Sequence, residues 1–220
     1  MKVMKSVRSL VSQMRSFLIV GTLLTVGAAT GFSQADSRGK QLYVNCTICH
    51  QADGGGSALL EAPAINNLSE KYIVEQLKKF KAGIRGGHPD DIAGLRMLPM
   101  AQTMVTEEDM QAVAAYVASL PSSSKEPTIE GGDATKGQAA YAVCIACHQA
   151  NGIGNDLLNS PSLIHQYDWY QLAQLKKFKS GVRGADPRDI TGAQMRPMTM
   201  TLVDEQAMKD VVAYIQTLSQ

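Results

Sequence analysis

The chain has 220 residues, 45% of them hydrophobic, a formal net charge of +1 and four cysteines. That length allows one or two domains. Four of the 21 Lys and Arg, and none of the 20 Asp and Glu, fall in residues 1–35, so the remainder carries 17 positive against 20 negative side chains, a net charge of −3. This balance excludes the basic footprint of a nucleic-acid binder.

Residues 1–35 read as an export signal rather than as part of the fold. Lys2, Lys5, Arg8 and Arg15 form a positive start, Phe17 to Ala29 is an apolar run, and Ser33-Gln34-Ala35 is a small-x-small cleavage site. The run has 13 residues, short of the ~20 that span a bilayer. A retained anchor is the alternative. Export to the periplasm is the expectation, and no later stretch is apolar enough to cross a membrane.

From Asp36 onward the chain is one unit written twice. With a shift of 98 residues, Gly39–Leu120 aligns with Gly137–Leu218 without a gap, and 37 of 82 positions are identical. Units of this length are domains, not solenoid repeats of 20–50 residues. The expected organisation is a domain over 36–120, a polar Pro/Ser/Gly linker over 121–133 and a second domain over 134–220.

Each unit opens with a short helix, around Gly39–Cys46 and Gly137–Cys144, that runs into Cys46-Thr47-Ile48-Cys49-His50 or Cys144-Ile145-Ala146-Cys147-His148. A Cys-x-x-Cys-His run is the attachment signature of c-type haem. Two thiols three residues apart reach both vinyl groups of one porphyrin, and the histidine supplies an axial nitrogen. The two runs use every cysteine. A redox pair does not require the histidine, and a zinc site would have to draw four thiolates from both copies. Two covalent haems c, on Cys46, Cys49, Cys144 and Cys147, are the expectation.

Downstream, Pro63 and Pro161 each lie 13 residues after the haem histidine. A middle helix is expected from near Ser69 or Asp168, carrying Tyr72, Leu77 and Phe80 or Tyr170, Leu175 and Phe178, and stopping at Gly83 or Gly181. A proline-containing loop with methionines follows. A last helix, N-capped near Thr106 or Asp204, turns Met110, Val113, Val117 and Leu120, or Met208, Val211, Ile215 and Leu218, inward. No stretch alternates with a period of two, so the fold class is all-α.

Equivalent haems require equivalent ligands, so the repeat filters the candidates for the second axial position. His88 aligns with Asp186 and His165 with Asn67; both read as loop or surface histidines. Met104 and Met200 are also unrepeated, and the pair Met110/Met208 lies inside the last helix as packing. Two pairs remain: Met97 with Met195, and Met100 with Met198. Either gives a His/Met iron, a haem c arrangement that raises the reduction potential. Six-coordinate iron has no open position for substrate, which points to an electron carrier rather than an enzyme. The alternatives are a dihaem peroxidase or the haem subunit of a dehydrogenase.

The doubled Cys-x-x-Cys-His, Pro63 and Pro161, the Gln-Leu-Lys-Lys-Phe-Lys-x-Gly runs, and the methionine segment leading to Tyr116 or Tyr214 together resemble the dihaem class I cytochromes c of the c4 type. The resemblance covers essentially the whole chain after residue 35. It implies two tandem class I domains, each wrapped around one haem and packed about a pseudo-twofold axis. It implies that the axial methionine lies seven residues before Met104 or Leu202, at Met97 and Met195. It implies that the Pro63 and Pro161 carbonyls accept hydrogen bonds from the ligating imidazoles His50 and His148. The expected partners are redox proteins, a terminal oxidase or a dehydrogenase, with peripheral membrane association possible.

Lys78, Lys79, Lys81 and Arg85 recur as Lys176, Lys177, Lys179 and Arg183. A solvated helix face is the simple reading, with docking to an acidic partner or arginine contact to haem propionates as the functional ones. Trp169 aligns with Lys71 and reads as local or interdomain packing.

Overall fold

A computed structural model of the chain describes residues 37–219. The expected export signal lies outside the described residues. The elements are helices: α1 (37–43), α2 (Thr47–His50), α3 (Glu70–Lys81), α4 (Ile92–Leu95), α5 (Met97–Gln102) and α6 (Glu107–Ala118), then α7 (Ala134–Tyr141), α8 (Ile145–His148), α9 (Asp168–Ser180), α10 (Ile190–Met200) and α11 (Glu205–Thr217), with a short 3₁₀ turn at Asp156–Leu158. Among the described residues, β pairing is confined to the isolated bridges Ser57–Ala62 and Asn155–Ser160. The chain is all-α, as two tandem domains. No described helix is long and apolar enough to cross a membrane.

Each domain is framed where its first helix crosses its last. A Cβ on Gly39 would lie 2.1 Å from the Ala112 carbonyl oxygen, and one on Gly137 1.9 Å from that of Asp210. Only glycine allows that approach. One turn on, Tyr43 meets the Tyr116 ring at 5.4 Å and Tyr141 meets Tyr214 at 5.3 Å. The last helices begin as expected: the Thr106 side chain accepts from Asp109 N, and that of Asp204 from Ala207 N. Their inward faces, Met110, Val113 and Val117, and Met208, Val211 and Ile215, are buried in two separate cores. Ser69 caps α3 through Tyr72 N.

The second middle helix, α9, begins at Asp168, where it was expected. The buried Asp168 carboxylate accepts from Thr128 N, Thr128 Oγ1, Ile129 N and Trp169 N, pinning the preceding linker to the second domain. Two expectations are corrected. The methionine segments are helical rather than loops. Pro99 is tolerated because the first-turn N–H groups of a helix lack intrahelical acceptors anyway; Pro197 sits inside α10. Finally, the recurring lysines are not a free solvated face. Lys78 pairs with Glu107 and Lys176 with Glu205 at the surface. Lys81 and Lys179 donate to the carbonyls of Met104 and Val105, and of Leu202 and Val203. Lys79 and Lys177 cross to the other domain.

The contacts between the halves are reciprocal under the same 98-residue shift. Arg85 Nη2 donates to Tyr170 OH at 2.8 Å, and Arg183 Nη2 to Tyr72 OH at 3.0 Å. Lys79 Nζ meets Asp189 Oδ1 at 2.6 Å, and Lys177 Nζ meets Asp91 Oδ1 at 2.5 Å. Swapping the halves maps each contact onto the other, which is the signature of a twofold, isologous interface.

Candidate haem sites

The two thiols and the histidine of each motif come from one short helical stretch. Hydrogen-bonded turns lead from α1 into α2, with Cys46 N donating to the Tyr43 carbonyl and His50 N to the Cys46 carbonyl at 2.8 Å each. Cys46 and Cys144 are half-buried, and Cys49 and Cys147 exposed. Burial, together with the facing Cys49 sulfur, pushes the Cys46 thiol up to about 11; Cys144 is raised alike, beside Cys147. The four cysteines form no shared site: among the described residues no group of three or more His, Cys, Asp or Glu is placed to hold a metal ion. The four-thiolate zinc alternative therefore has no geometry to support it.

His50 and His148 are buried, each 6% exposed. The Nδ1 of His50 lies 2.9 Å from the Pro63 carbonyl oxygen, and that of His148 2.9 Å from Pro161. A carbonyl only accepts, so Nδ1 carries the proton and Nε2 keeps its lone pair. Burial lowers both imidazoles below their ordinary range, and the proline carbonyls oppose this. A neutral ring with a fixed tautomer and a free Nε2 is what an axial iron ligand requires. The residues present thus fit a covalent haem: two thiols for the vinyls, and one oriented imidazole.

Tyr43 and Tyr141 belong to this arrangement and were not singled out from sequence. Their hydroxyls donate to the carbonyls of Gln51 and Gln149, the residues just after the histidines, at 2.7 and 2.8 Å. Gln51 and Gln149 both have φ of +64°, so each tyrosine holds a sharp turn that releases the chain from the haem helix. Identity at 43 and 141 across the repeat was the available signal.

The methionines now fall on helix faces. Along α4 and α5, Gly94 and Ala101 are buried and Met97, Leu98 and Met100 half-buried, while Leu95, Arg96 and Pro99 are exposed. Along α10, Gly192 and Thr199 are buried and Met195 and Arg196 half-buried, while Ala193, Gln194, Pro197 and Met198 are exposed. Positions i, i+3, i+4 and i+7 form one inward stripe, and Met97 and Met195 lie in it. Met100 and Met198 lie off it. Met104, Met110 and Met208 are core residues, each at most 4% exposed.

The other candidates go elsewhere. The His88 side chain is 43% exposed, and His165 Nδ1 lies 2.9 Å from Ser122 Oγ in the linker. The guanidinium groups of Arg85 and Arg183 stack on Phe80 and Phe178, 4.5 Å from each ring centre, and bond across the interface. Trp169 stacks on Tyr167 at 5.4 Å and meets Tyr170 edge-on.

A family model described as Cytochrome c matches residues 37–121 and again 134–219. Cytochrome c4 of Stutzerimonas stutzeri is 32% identical over 184 residues, 77% of this chain and 85% of the relative. A thiosulfate dehydrogenase electron acceptor of Thiomonas intermedia (strain K12) is 29% identical over 203 residues, 88% of this chain and 87% of the relative. The crystal structure of reduced recombinant cytochrome c4 from Pseudomonas stutzeri matches with a TM-score of 0.65 at 27% identity, covering 82% of this chain and 96% of that one.

Proposed function

The chain belongs to the cytochrome c family as a dihaem cytochrome of the c4 type, and from that premise we propose that it works in the periplasm, taking single electrons from a dehydrogenase and passing them towards a terminal oxidase. It is an electron carrier, not an enzyme, and its cofactors are two covalent haems c. Support for the donor side comes from the relative named as an electron acceptor of thiosulfate dehydrogenase, which aligns with most of this chain. Support for the oxidase side comes from a relative named as the cbb3-type cytochrome c oxidase subunit CcoP of Rubrivivax gelatinosus, 33% identical over 131 residues, 59% of this chain and 39% of the relative.

In this reading Cys46 and Cys49, and Cys144 and Cys147, form the thioethers. His50 with Met97, and His148 with Met195, would hold the two irons. Each bound haem supplies a one-electron iron couple. The chain's part is to hold that couple closed and its geometry constant. The Pro63 and Pro161 carbonyls fix the imidazole planes. The helices carrying Met97 and Met195 bring a thioether on an inward stripe, which, bound to the iron, would leave no open position for oxygen or peroxide. The observation that carries the ligand assignment is this shared inward register, Gly94-Met97-Leu98-Ala101 and Gly192-Met195-Arg196-Thr199.

A redox titration of wild type beside Met97→Ala and Met100→Ala tests it. We expect two one-electron waves. Met97→Ala should abolish half of the sulfur-to-iron charge-transfer band and sharply lower one potential, and Met100→Ala should spare both. The reverse pattern overturns the ligand assignment. A carbon monoxide adduct of reduced wild type would instead favour a peroxidase.

A further inference from the structure

Asp91 and Asp189 are among the most buried carboxylates, each 2% exposed. Each is the N-cap of a methionine-bearing segment. Asp189 Oδ1 accepts from Gly192 N at 3.0 Å at the head of α10, and Asp91 Oδ1 from Gly94 N at 3.0 Å at the head of α4, which leads through Arg96 into α5. The carboxylates sit so close to these turns that a Cβ on Gly192 would lie 2.1 Å from Asp189 Oδ2, and one on Gly94 2.2 Å from Asp91 Oδ2. Met195 follows Asp189 by six residues, as Met97 follows Asp91.

The cation that neutralises each cap comes from the opposite domain. Lys79 reaches Asp189 across 110 residues of sequence, and Lys177 reaches Asp91 across 86. Their side chains are 11% and 20% exposed, and the aspartates' 3% each. A charge buried this deeply needs its partner; removing one leaves the other uncompensated. Lys79 also donates to Thr191 Oγ1 at 2.5 Å, so α10 is gripped at both its cap and its second residue. Thr191 aligns with Ala93, so Lys177 has no matching hydroxyl.

We propose that Lys79 and Lys177 are cross-domain positioning residues: each, through the opposite domain's buried N-cap aspartate, fixes the helix that presents that domain's axial methionine. The proposal rests on methionine ligation from these helices, and holds whichever methionine of each binds. Its consequence is that the potential of each haem is set partly by a lysine of the other domain. Docking of the two domains then tunes both redox centres, each through its own lysine–aspartate pair.

The test is a spectroscopic redox titration of the intact dihaem protein. Met97→Ala or Met100→Ala, and Met195→Ala or Met198→Ala, whichever of each pair abolishes half of the charge-transfer band, first assign each wave to its haem. In Lys79→Gln we expect the second-domain wave to fall and its share of the charge-transfer band to weaken, with the first-domain wave nearly unmoved. In Lys177→Gln we expect the converse, and Lys79→Arg should restore the second wave. Loss of a nearby positive charge would itself move a potential, so Asp189→Asn separates the causes. A loosened methionine makes Asp189→Asn and Lys79→Gln lower the second wave together, whereas simple charge effects move it in opposite directions. Opposite directions, equal shifts of both waves, or a shift confined to the lysine's own domain would overturn the proposal. The charge-transfer band in wild type reports on methionine ligation independently, so failure of that reading is distinguishable from failure of the brace.

Discussion

Gln76 and Gln174 are equivalent in the repeat, yet the structure predicts that their loss has unequal consequences. Gln76 Oε1 accepts from Arg85 Nη1 at 2.8 Å within its own domain and from Arg183 Nη2 at 3.1 Å across the interface. The Gln174 side-chain oxygen accepts from Arg183 Nη1 at 2.8 Å. Gln76 is 7% exposed and Arg183 8%, so water does not readily replace what is removed. A hydrogen bond to a charged group contributes about 1.5–3 kcal/mol. Arg183 keeps Tyr72 as an acceptor for Nη2, and half-buried Arg85 can recruit solvent, so each loss belongs near the lower figure. Gln76→Leu should then cost about 3 kcal/mol and Gln174→Leu about 1.5 kcal/mol. The difference is roughly a tenfold change in the unfolding equilibrium. Urea titrations of the holoprotein, followed by Trp169 fluorescence and haem absorbance together, measure both. Equal losses in the two variants, or a loss below about 1 kcal/mol in Gln76→Leu, would refute the shared-acceptor argument.

Acid should loosen the interface. Burial alone would raise the Asp91 carboxyl, but the Lys177 hydrogen bond and charge, the Gly94 N–H and the Arg85 charge hold it below its usual range. A carboxyl lowered in the folded state contributes stability that is complete above its unfolded value of ~3.9 and is lost as pH falls from there through the folded value. Small-angle scattering should show the domains separating only below about pH 4, and Asp91→Asn should flatten that response; an unchanged profile in the variant would remove Asp91 as the cause. At the helix crossing, Gly39→Ala should cost about 3 kcal/mol because its Cβ meets the fixed Ala112 carbonyl. Gly83→Ala, with φ of +68° but nothing within 4 Å of its Cβ, should cost only about 1 kcal/mol of backbone strain. Thermal unfolding of the two variants compares them directly, and equal costs would count against the close-approach argument.

Much of each domain was legible because its signals are local. Cys-x-x-Cys-His, the proline 13 residues on, the Thr106 and Asp204 caps and the inward stripe of the last helix all act within a few turns or a short loop. The methionine segments read in the sequence as proline-containing loops but are helical. A proline in a first turn forfeits no hydrogen bond, and Pro197 is accommodated within α10. Recognising the helix would have exposed the 3.6-residue register that separates Met195 from Met198. The lysine run shows a different limit. Periodicity shows which face of α3 a lysine occupies, but not that an aspartate 110 residues away covers that face.

Identity between the halves therefore records two constraints that sequence alone cannot separate. His50/His148, Pro63/Pro161 and Tyr43/Tyr141 are identical because each domain builds the same haem site. Tyr72/Tyr170, Lys79/Lys177, Arg85/Arg183 and Asp91/Asp189 are identical because a twofold interface needs both members of every pair on both surfaces. The departures from identity are informative in the same way. Asn67 Nδ2 donates to the Ile164 carbonyl across the interface, whereas its equivalent, His165, turns to Ser122 of the linker. Glu70 opens α3 at the surface, whereas its equivalent, Asp168, is buried under Thr128 and Ile129. Ser124 donates to the Ser219 carbonyl on the same side. A single chain has only one linker, and though Asn66 Nδ2 donates to its first carbonyl, Pro121, most of its bonds fall on the second copy. Where they do, the twofold relation has to break, so an unrepeated histidine at 165 marks the linker's dock rather than a ligand.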